Sequence, residues 1–181
     1  MIEKLIFVTG NKNKAKEAQA ILGIPIDVVN IDLEEIQSAN LKEVVQKKTA
    51  DAFKSVGKPL LVDDVGFYVE AWNGFPGPFI KFMLAALGSK ELARLIYTSQ
   101  NLQVVVKACI GYHDGENIHT FLGEVPGMIT PVPIGENGFG FDTIFIPKDQ
   151  VVTFAQMSEE DKNKISHRAR ALEELKQFLN K

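Results

Sequence analysis

LIFVTGNKNKAKEAQAIL, residues 5–22, decides the fold class. Leu5 to Val8 is a short apolar run of strand type that ends at Thr9-Gly10. Behind it Ala15, Ala18 and Leu22 recur at helical spacing until Gly23 and Pro25 stop the pattern. A strand that turns straight into a helix is the building unit of α/β proteins. The turn Thr9-Gly10-Asn11-Lys12-Asn13-Lys14 brings free backbone N–H groups, the positive end of a helix and lysine charge to one spot, which suits a phosphate. No Gly-Lys-Ser/Thr group follows Gly10 at Walker A spacing, which weakens the case for a P-loop kinase or GTPase. The competing reading is a capped helix whose lysines are solvated.

Working outward, the β-branched run from Ile24 to Ile31 reads as a second strand. Asn40, with Glu43 three residues later, reads as the cap of an amphipathic helix reaching about Lys54. Pro59 to Val62 is the next strand, and Phe79 to Gly88 and Ser89 to Tyr97 are two helical segments parted by Gly88. Gln103 to Tyr112 and Ile118 to Val125 flank Asp114-Gly115, a favoured two-residue hairpin turn, and Thr143 to Ile146 adds a strand. Ser158 with Asp161 caps a short helix, and Ala169, Leu172, Leu175 and Leu179 mark the buried stripe of the last one. Strands alternate with helices early and a hairpin follows, so the expected class is α/β with a mixed central β-sheet flanked by helices.

The chain has 181 residues, 45% of them hydrophobic, which suits one domain over 1–181 rather than two. A formal net charge of -3 supplies no general attraction to nucleic acid or anionic membrane, so anion binding has to come from local clusters. The single cysteine, Cys109, lies in an apolar strand-like run and lacks thiolate-activating neighbours in sequence. MIEKLIFVTG lacks the longer apolar region of a signal peptide. PFIKFMLAALG is too short to span a bilayer and contains Lys81, so a cytoplasmic location is expected.

Asp63 and Asp64 follow the apolar run PLLV and precede Val65-Gly66. Adjacent carboxylates at the end of a buried strand repel one another unless a cation or hydrogen-bond donors compensate them, which points to a metal. Asp at the first position and Gly at the fourth equally suit a type I turn. Lys48 falls in the middle of the apolar stripe of Leu41, Val44, Val45 and Ala52, where it is either a snorkelling stem or a second phosphate contact. Glu34 or Glu35 could join Asp64 around a divalent ion, and magnesium needs only one or two carboxylates when phosphates and water complete its shell.

A third group is aromatic and basic. Phe139 and Phe141 offer faces for a base, and Asp142 a carboxylate for a base or ribose, within a Pro/Gly-rich stretch from Gly127 to Gly140 read as a site loop. Core packing is the competing fate of those rings. Lys162, Ser166, His167 and Arg168 open the last helix, where cations oppose the helix dipole; a negative or electron-rich partner would resolve that conflict, and the competing reading is a solvated basic helix start with Ser166 as its N-cap. With Asp114-Gly115 as a two-residue loop, His113 pairs with Glu116 and His119 with Ile110, so the histidines do not form a zinc pair.

TGNKNKAKEAQAIL, VDDVGFYVEAWNGFPGPFIKFML, GFGFDTIFIP and KNKISHRARAL together resemble, in order and across nearly the whole chain, the inosine triphosphate pyrophosphatase or Ham1-like family. The resemblance implies a Maf/Ham1-type architecture with a substrate cleft between two lobes. It also implies a homodimeric, Mg2+-dependent enzyme that converts deaminated purine nucleoside triphosphates (ITP, dITP, XTP) to the monophosphate plus pyrophosphate. By matching motifs, Thr9, Gly10, Asn11, Lys14 and Lys48 become the triphosphate grip, Glu35 and Asp64 the metal site, and Asp64, with Asp63 as helper, the catalytic carboxylate. Phe139, Gly140, Phe141, Asp142, Lys162, Ser166, His167 and Arg168 become the base-recognition set. Val65 and Thr143 depart from the hydroxyl residue and the proline usual in the family, and Phe141 from its Tyr or Trp. A Maf-like pyrophosphatase of other nucleotide preference, disfavoured by Ser-His-Arg and Gly-Phe-Gly-Phe-Asp, and a non-catalytic nucleotide sensor are the rivals.

Overall fold

The computed structural model describes residues 3–180. Five helices flank a mixed sheet among the described residues. The order along the chain is β1 (Leu5–Val8), α1 (Lys12–Leu22), β2 (Ile26–Val29), α2 (Leu41–Val56), β3 (Leu60–Val69), β4 (Pro76–Gly77) and α3 (Ile80–Tyr97). Then come β5 (Gln103–His113), β6 (Ile118–Ile129), β7 (Phe145–Pro147), α4 (Glu159–Ile165) and α5 (His167–Leu179). The sheet order is β2-β1-β3-β5-β6-β7, with β4 paired to β3. β1 runs parallel to β2 (Leu5 opposite Ile26) and to β3 (Phe7 opposite Leu61), while β6 and β7 are antiparallel (Met128 opposite Ile146). The expected mixed sheet is present.

Two compact units divide the chain. One comprises Met1–Asp64, Ala108–Gly123 and His167–Lys181, the other Val65–Lys107 and Glu124–Ser166. In the first, Val8, Val45, Ala52, Leu60, Val62 and Cys109 are buried together. β6 passes close under the start of α5 here: a Cβ at Gly123 would lie 2.1 Å from the His167 carbonyl oxygen, so only glycine lets the two backbones meet. In the second, Phe67, Ile80, Leu92, Ile96, Val106, Phe141, Phe145 and Phe154 form the core.

Local signals place most elements. Asn11 and Asn40 cap α1 and α2 with their side chains. Gly88 breaks α3 with φ 72° and ψ 167°, and Ser158 caps α4 by accepting from the Asp161 N–H. Three expectations change. β3 does not end at Val62 but runs on through Asp63, Asp64 and Gly66 to Val69, because both charges find partners and no turn is needed. The last strand is shorter than expected and begins at Phe145. The hairpin closes on Gly115-Glu116 rather than Asp114-Gly115: Asp114 donates its N–H to the Asn117 carbonyl, and its side chain accepts from the Glu116 and Asn117 amides. That side-chain cap shifts the register and sets His119 beside Tyr112, while His113 stacks on Phe53 at 3.5 Å.

Candidate active site

The turn after β1 is held by its own side chains. Thr9 Oγ1 accepts from the Asn11 N–H at 3.1 Å, and Asn11 Oδ1 accepts from the amides of Asn13 and Lys14. The helix is therefore capped, but Lys14 is not a solvated lysine. Its ammonium lies 2.8 Å from Asp63 Oδ1, with the side chain 15% exposed.

Successive side chains of a strand point to opposite faces, so continuing β3 through the acidic pair separates the two carboxylates. Asp63 is 2% exposed and bonds Lys14 through one oxygen and Arg168 Nε, at 2.9 Å, through the other. Burial would raise its pKa, yet Lys14 and Arg168 hold the carboxyl well below the usual carboxylate range. Arg168 Nη1 also donates to Glu17 of α1. Burial acts to lower the Arg168 pKa, but Asp63 and Glu17 outweigh it and raise the pKa above the ordinary guanidinium value. The negative partner expected for this cation at the start of α5 is thus supplied from within the protein.

Asp64, half-buried, belongs to a second cluster. Lys48 Nζ lies 2.6 Å from Glu35 and 3.6 Å from Asp64. Burial acts to lower the lysine pKa, but Asp64 and Glu35 prevail and raise it. Of the two glutamates after β2, Glu35 is the one that meets Lys48. Two carboxylates from distant segments so converge on one cation. Among the described residues, no group of three His, Cys, Asp or Glu is placed to hold a metal ion.

The other unit holds the aromatic and basic group. Asp142, 3% exposed, accepts from the Phe139 N–H at 2.8 Å and from Lys162 Nζ at 2.7 Å, both through Oδ2. Lys162 belongs to α4 rather than to the last helix, and its ammonium lies 4.9 Å from the centre of the Phe139 ring. Ser166 ends α4, donating its N–H to the Lys162 carbonyl, and His167 begins α5. Gly138 has φ +76°, and a Cβ there would lie 2.2 Å from Asp142 Oδ2, so the loop closes on the carboxylate only with glycine. Gly140, exposed with φ 66°, stands between Phe139 and Phe141 in the sequence. Phe141 packs on Phe67 at 4.9 Å and is 5% exposed, a core ring, whereas Phe139 is half-buried.

Sequence reading missed Glu17. One signal was present: it stands one helical turn after Lys14, on the same side of α1. Cys109 is buried, and burial foremost pushes its thiol up to about 12, which makes it inert as a nucleophile.

Known proteins share this arrangement of chain. Over 174 residues the chain is 40% identical to a dITP/XTP pyrophosphatase of Methanopyrus kandleri, covering 94% of this chain and 93% of that one. It is 41% identical over 180 residues to an inosine triphosphate pyrophosphatase of Yarrowia lipolytica, covering 97% and 95%. Among solved structures, a HAM1 protein from Coxiella burnetii matches with a TM-score of 0.86 at 26% identity over 99% of each chain. The Staphylococcus aureus Ham1 protein matches with 0.76 at 28% over 98% of each. The model of the Ham1 family matches residues 5–178, which takes in the capped turn, the acidic strand, the Asp142 loop and the Arg168 helix. The chain belongs to the Ham1 family.

Proposed function

We propose that this protein hydrolyses deaminated purine nucleoside triphosphates, ITP, dITP and XTP, to the monophosphate and pyrophosphate, and so cleans the nucleotide pool. The convergence of Glu35 and Asp64 on the Lys48 ammonium carries the reading. Two carboxylates that reach one ammonium can meet one small cation, and an all-oxygen donor set suits magnesium. Glu35 and Asp64 would hold the ion, whose chemistry is to polarise phosphoryl oxygens and offset their charge. The names of the relatives, dITP/XTP and inosine triphosphate pyrophosphatase, support the same activity.

Asp64 orients the attacking water and takes its proton. The water oxygen bonds to the α-phosphorus, the α–β anhydride bond breaks, and pyrophosphate leaves with its charge offset by Lys14 and Lys48. Thr9, Gly10 and Asn11 form the floor on which the phosphates lie. Asp63, already bonded to two cations, is not the base. For the nucleobase, Phe139 and Gly140 offer a face and Phe141 supports it from the core, while Ser166 and His167 set the backbone between α4 and α5. Lys162, held by Asp142, donates to the 6-oxo oxygen of a deaminated purine, whereas the 6-amino group of adenine would present a donor to a donor.

One family model covers residues 5–178, which supports reading both units as one pyrophosphatase domain. No helix among the described residues is long and apolar enough to cross a membrane. Residence in the cytoplasm, where nucleotides are used, and a homodimeric state belong to the same proposal.

Phosphorus NMR of the protein with magnesium and ITP, beside ATP and GTP, tests it. IMP and pyrophosphate, with little turnover of ATP, is the expected result. IDP with orthophosphate would mean attack at the γ-phosphorus and would overturn the mechanism. Binding without turnover would favour a sensor.

A further inference from the structure

Lys14 and Glu17 stand one turn apart on α1, and each meets a residue of a different element. Lys14 reaches Asp63 of β3 at 2.8 Å, Asp63 accepts from Arg168 of α5 at 2.9 Å, and Arg168 returns to Glu17. The four side chains form a closed ring whose last link is the α1 backbone. Two cations and two anions make it neutral. Its members are withdrawn from water: side-chain exposure is 1% for Asp63, 2% for Arg168, 12% for Glu17 and 15% for Lys14. A lone Lys14–Asp63 pair would leave the lysine stem free to swing about one contact. Closing the ring through Arg168 and Glu17 fixes the Asp63 carboxylate from behind, and with it the place of the ammonium.

We infer that Asp63 is a positioning residue that acts through Lys14, and that Arg168 and Glu17 form the rear half of the same device. The inference rests on the pyrophosphatase reading above and adds to it the source of Lys14's placement. A cation held in advance where charge develops on a leaving group favours the transition state more than the ground state. Loss of its anchor therefore lowers kcat more than it raises KM.

The test is a double-mutant cycle of Asp63→Asn with Lys14→Met, read as kcat and KM for ITP. Asp63→Asn alone is expected to lower kcat by about ten- to a hundredfold with KM changed less than about threefold, the scale of a lost charge-stabilising contact. In the Lys14→Met background the same change is expected to alter kcat by less than about threefold, because the group it positions is gone. Equal losses in both backgrounds would mean that Asp63 acts on water or substrate directly, and would overturn the inference. If Asp63→Asn does not fold, Glu17→Gln leaves the carboxylate in place and is expected to lower kcat by about three- to tenfold only when Lys14 is present. An unchanged kcat in Glu17→Gln would remove the rear half of the ring. If the wild type releases no pyrophosphate, it is the pyrophosphatase reading that fails. The cycle is then read as the dissociation constant of inorganic tripolyphosphate, where an effect of Asp63→Asn that persists without Lys14 overturns the ring.

Discussion

Lys48 and Glu35, thirteen residues apart, meet at 2.6 Å, the lysine from the apolar face of α2 and the glutamate from the loop after β2. The contact brings a cation to a place where Glu35 and Asp64 would otherwise repel each other. In the proposed catalytic state a metal takes that duty, so metal and lysine compete for the same carboxylates. Glu35→Gln is expected to raise the magnesium concentration for half-maximal rate by about tenfold or more, the scale of losing one charged ligand. Asp64→Asn should remove at least about 99% of turnover, as losing a general base and a metal ligand together does. Initial rates across a magnesium titration, with circular dichroism to establish folding, check both. Near-normal turnover of Asp64→Asn would sink the assignment of that residue.

Much of the fold was legible because its signals are local. The strand-turn-helix at residues 5–22, the Asn40 cap, the Gly88 break and the Ser158 cap depend on residues within a turn of one another. The continuation of β3 was not legible, since Asp63, Asp64 and Gly66 carry turn chemistry until their partners are known, and Arg168 lies 105 residues from Asp63. The hairpin register escaped for a similar reason: the Asp114 side chain, not the Asp-Gly pair, selects the turn. In the candidate site, helical spacing alone put Lys48 on the apolar face of α2, but not its partners: Glu35 and Asp64 meet it there only once the chain is folded. Glu17 was not legible, because an acidic residue on an exposed-looking helix turn acquires meaning only when α5 brings Arg168 to it.

The pairing of Asp63 fixes an acid-stability signature. Its folded pKa is depressed, so its contribution to stability is present above the ordinary carboxylate value and is lost as pH falls from there toward the lower folded value. Asp63→Asn leaves Arg168 facing an uncharged amide and should cost about 3–5 kcal/mol near neutral pH, the usual penalty for breaking a buried pair. The gap between wild type and variant should then narrow below about pH 4, where the wild-type carboxylate begins to lose its advantage. Thermal melts of both proteins from pH 7 down to the acid transition give the comparison, and a gap constant across that window would show that Asp63 stabilises the fold by something other than charge.

Gly138 offers a way to disturb the aromatic loop without replacing a titratable group. A Cβ there meets Asp142 Oδ2 at 2.2 Å, and the residue also holds φ at +76°. Gly138→Ala is expected to cost about 1–3 kcal/mol from the strained backbone alone. The damage should be local: kcat/KM for ITP falls, while affinity for tripolyphosphate, which has no base, stays within about twofold, as expected for a site the substitution does not touch. Calorimetry with tripolyphosphate and steady-state rates with ITP separate the two effects.

Asp142 ties that loop to Lys162, accepting from the Phe139 amide and the lysine ammonium on the same oxygen. If Lys162 reads a 6-oxo group, selectivity resides in a donor whose aim is set by Asp142 and whose charge is set by itself. Lys162→Met removes the donor and should reduce the ITP-to-ATP ratio of kcat/KM by about ten- to a hundredfold, mainly through loss of ITP turnover. Asp142→Asn keeps the donor but loosens its aim, and should reduce the same ratio by a smaller factor, with a loop more open to proteolysis. Competition assays with both nucleotides in one vessel measure the ratio directly. An unchanged ratio in Lys162→Met would take base recognition away from this lysine and leave the Lys162–Asp142 pair as a clasp that only closes the loop.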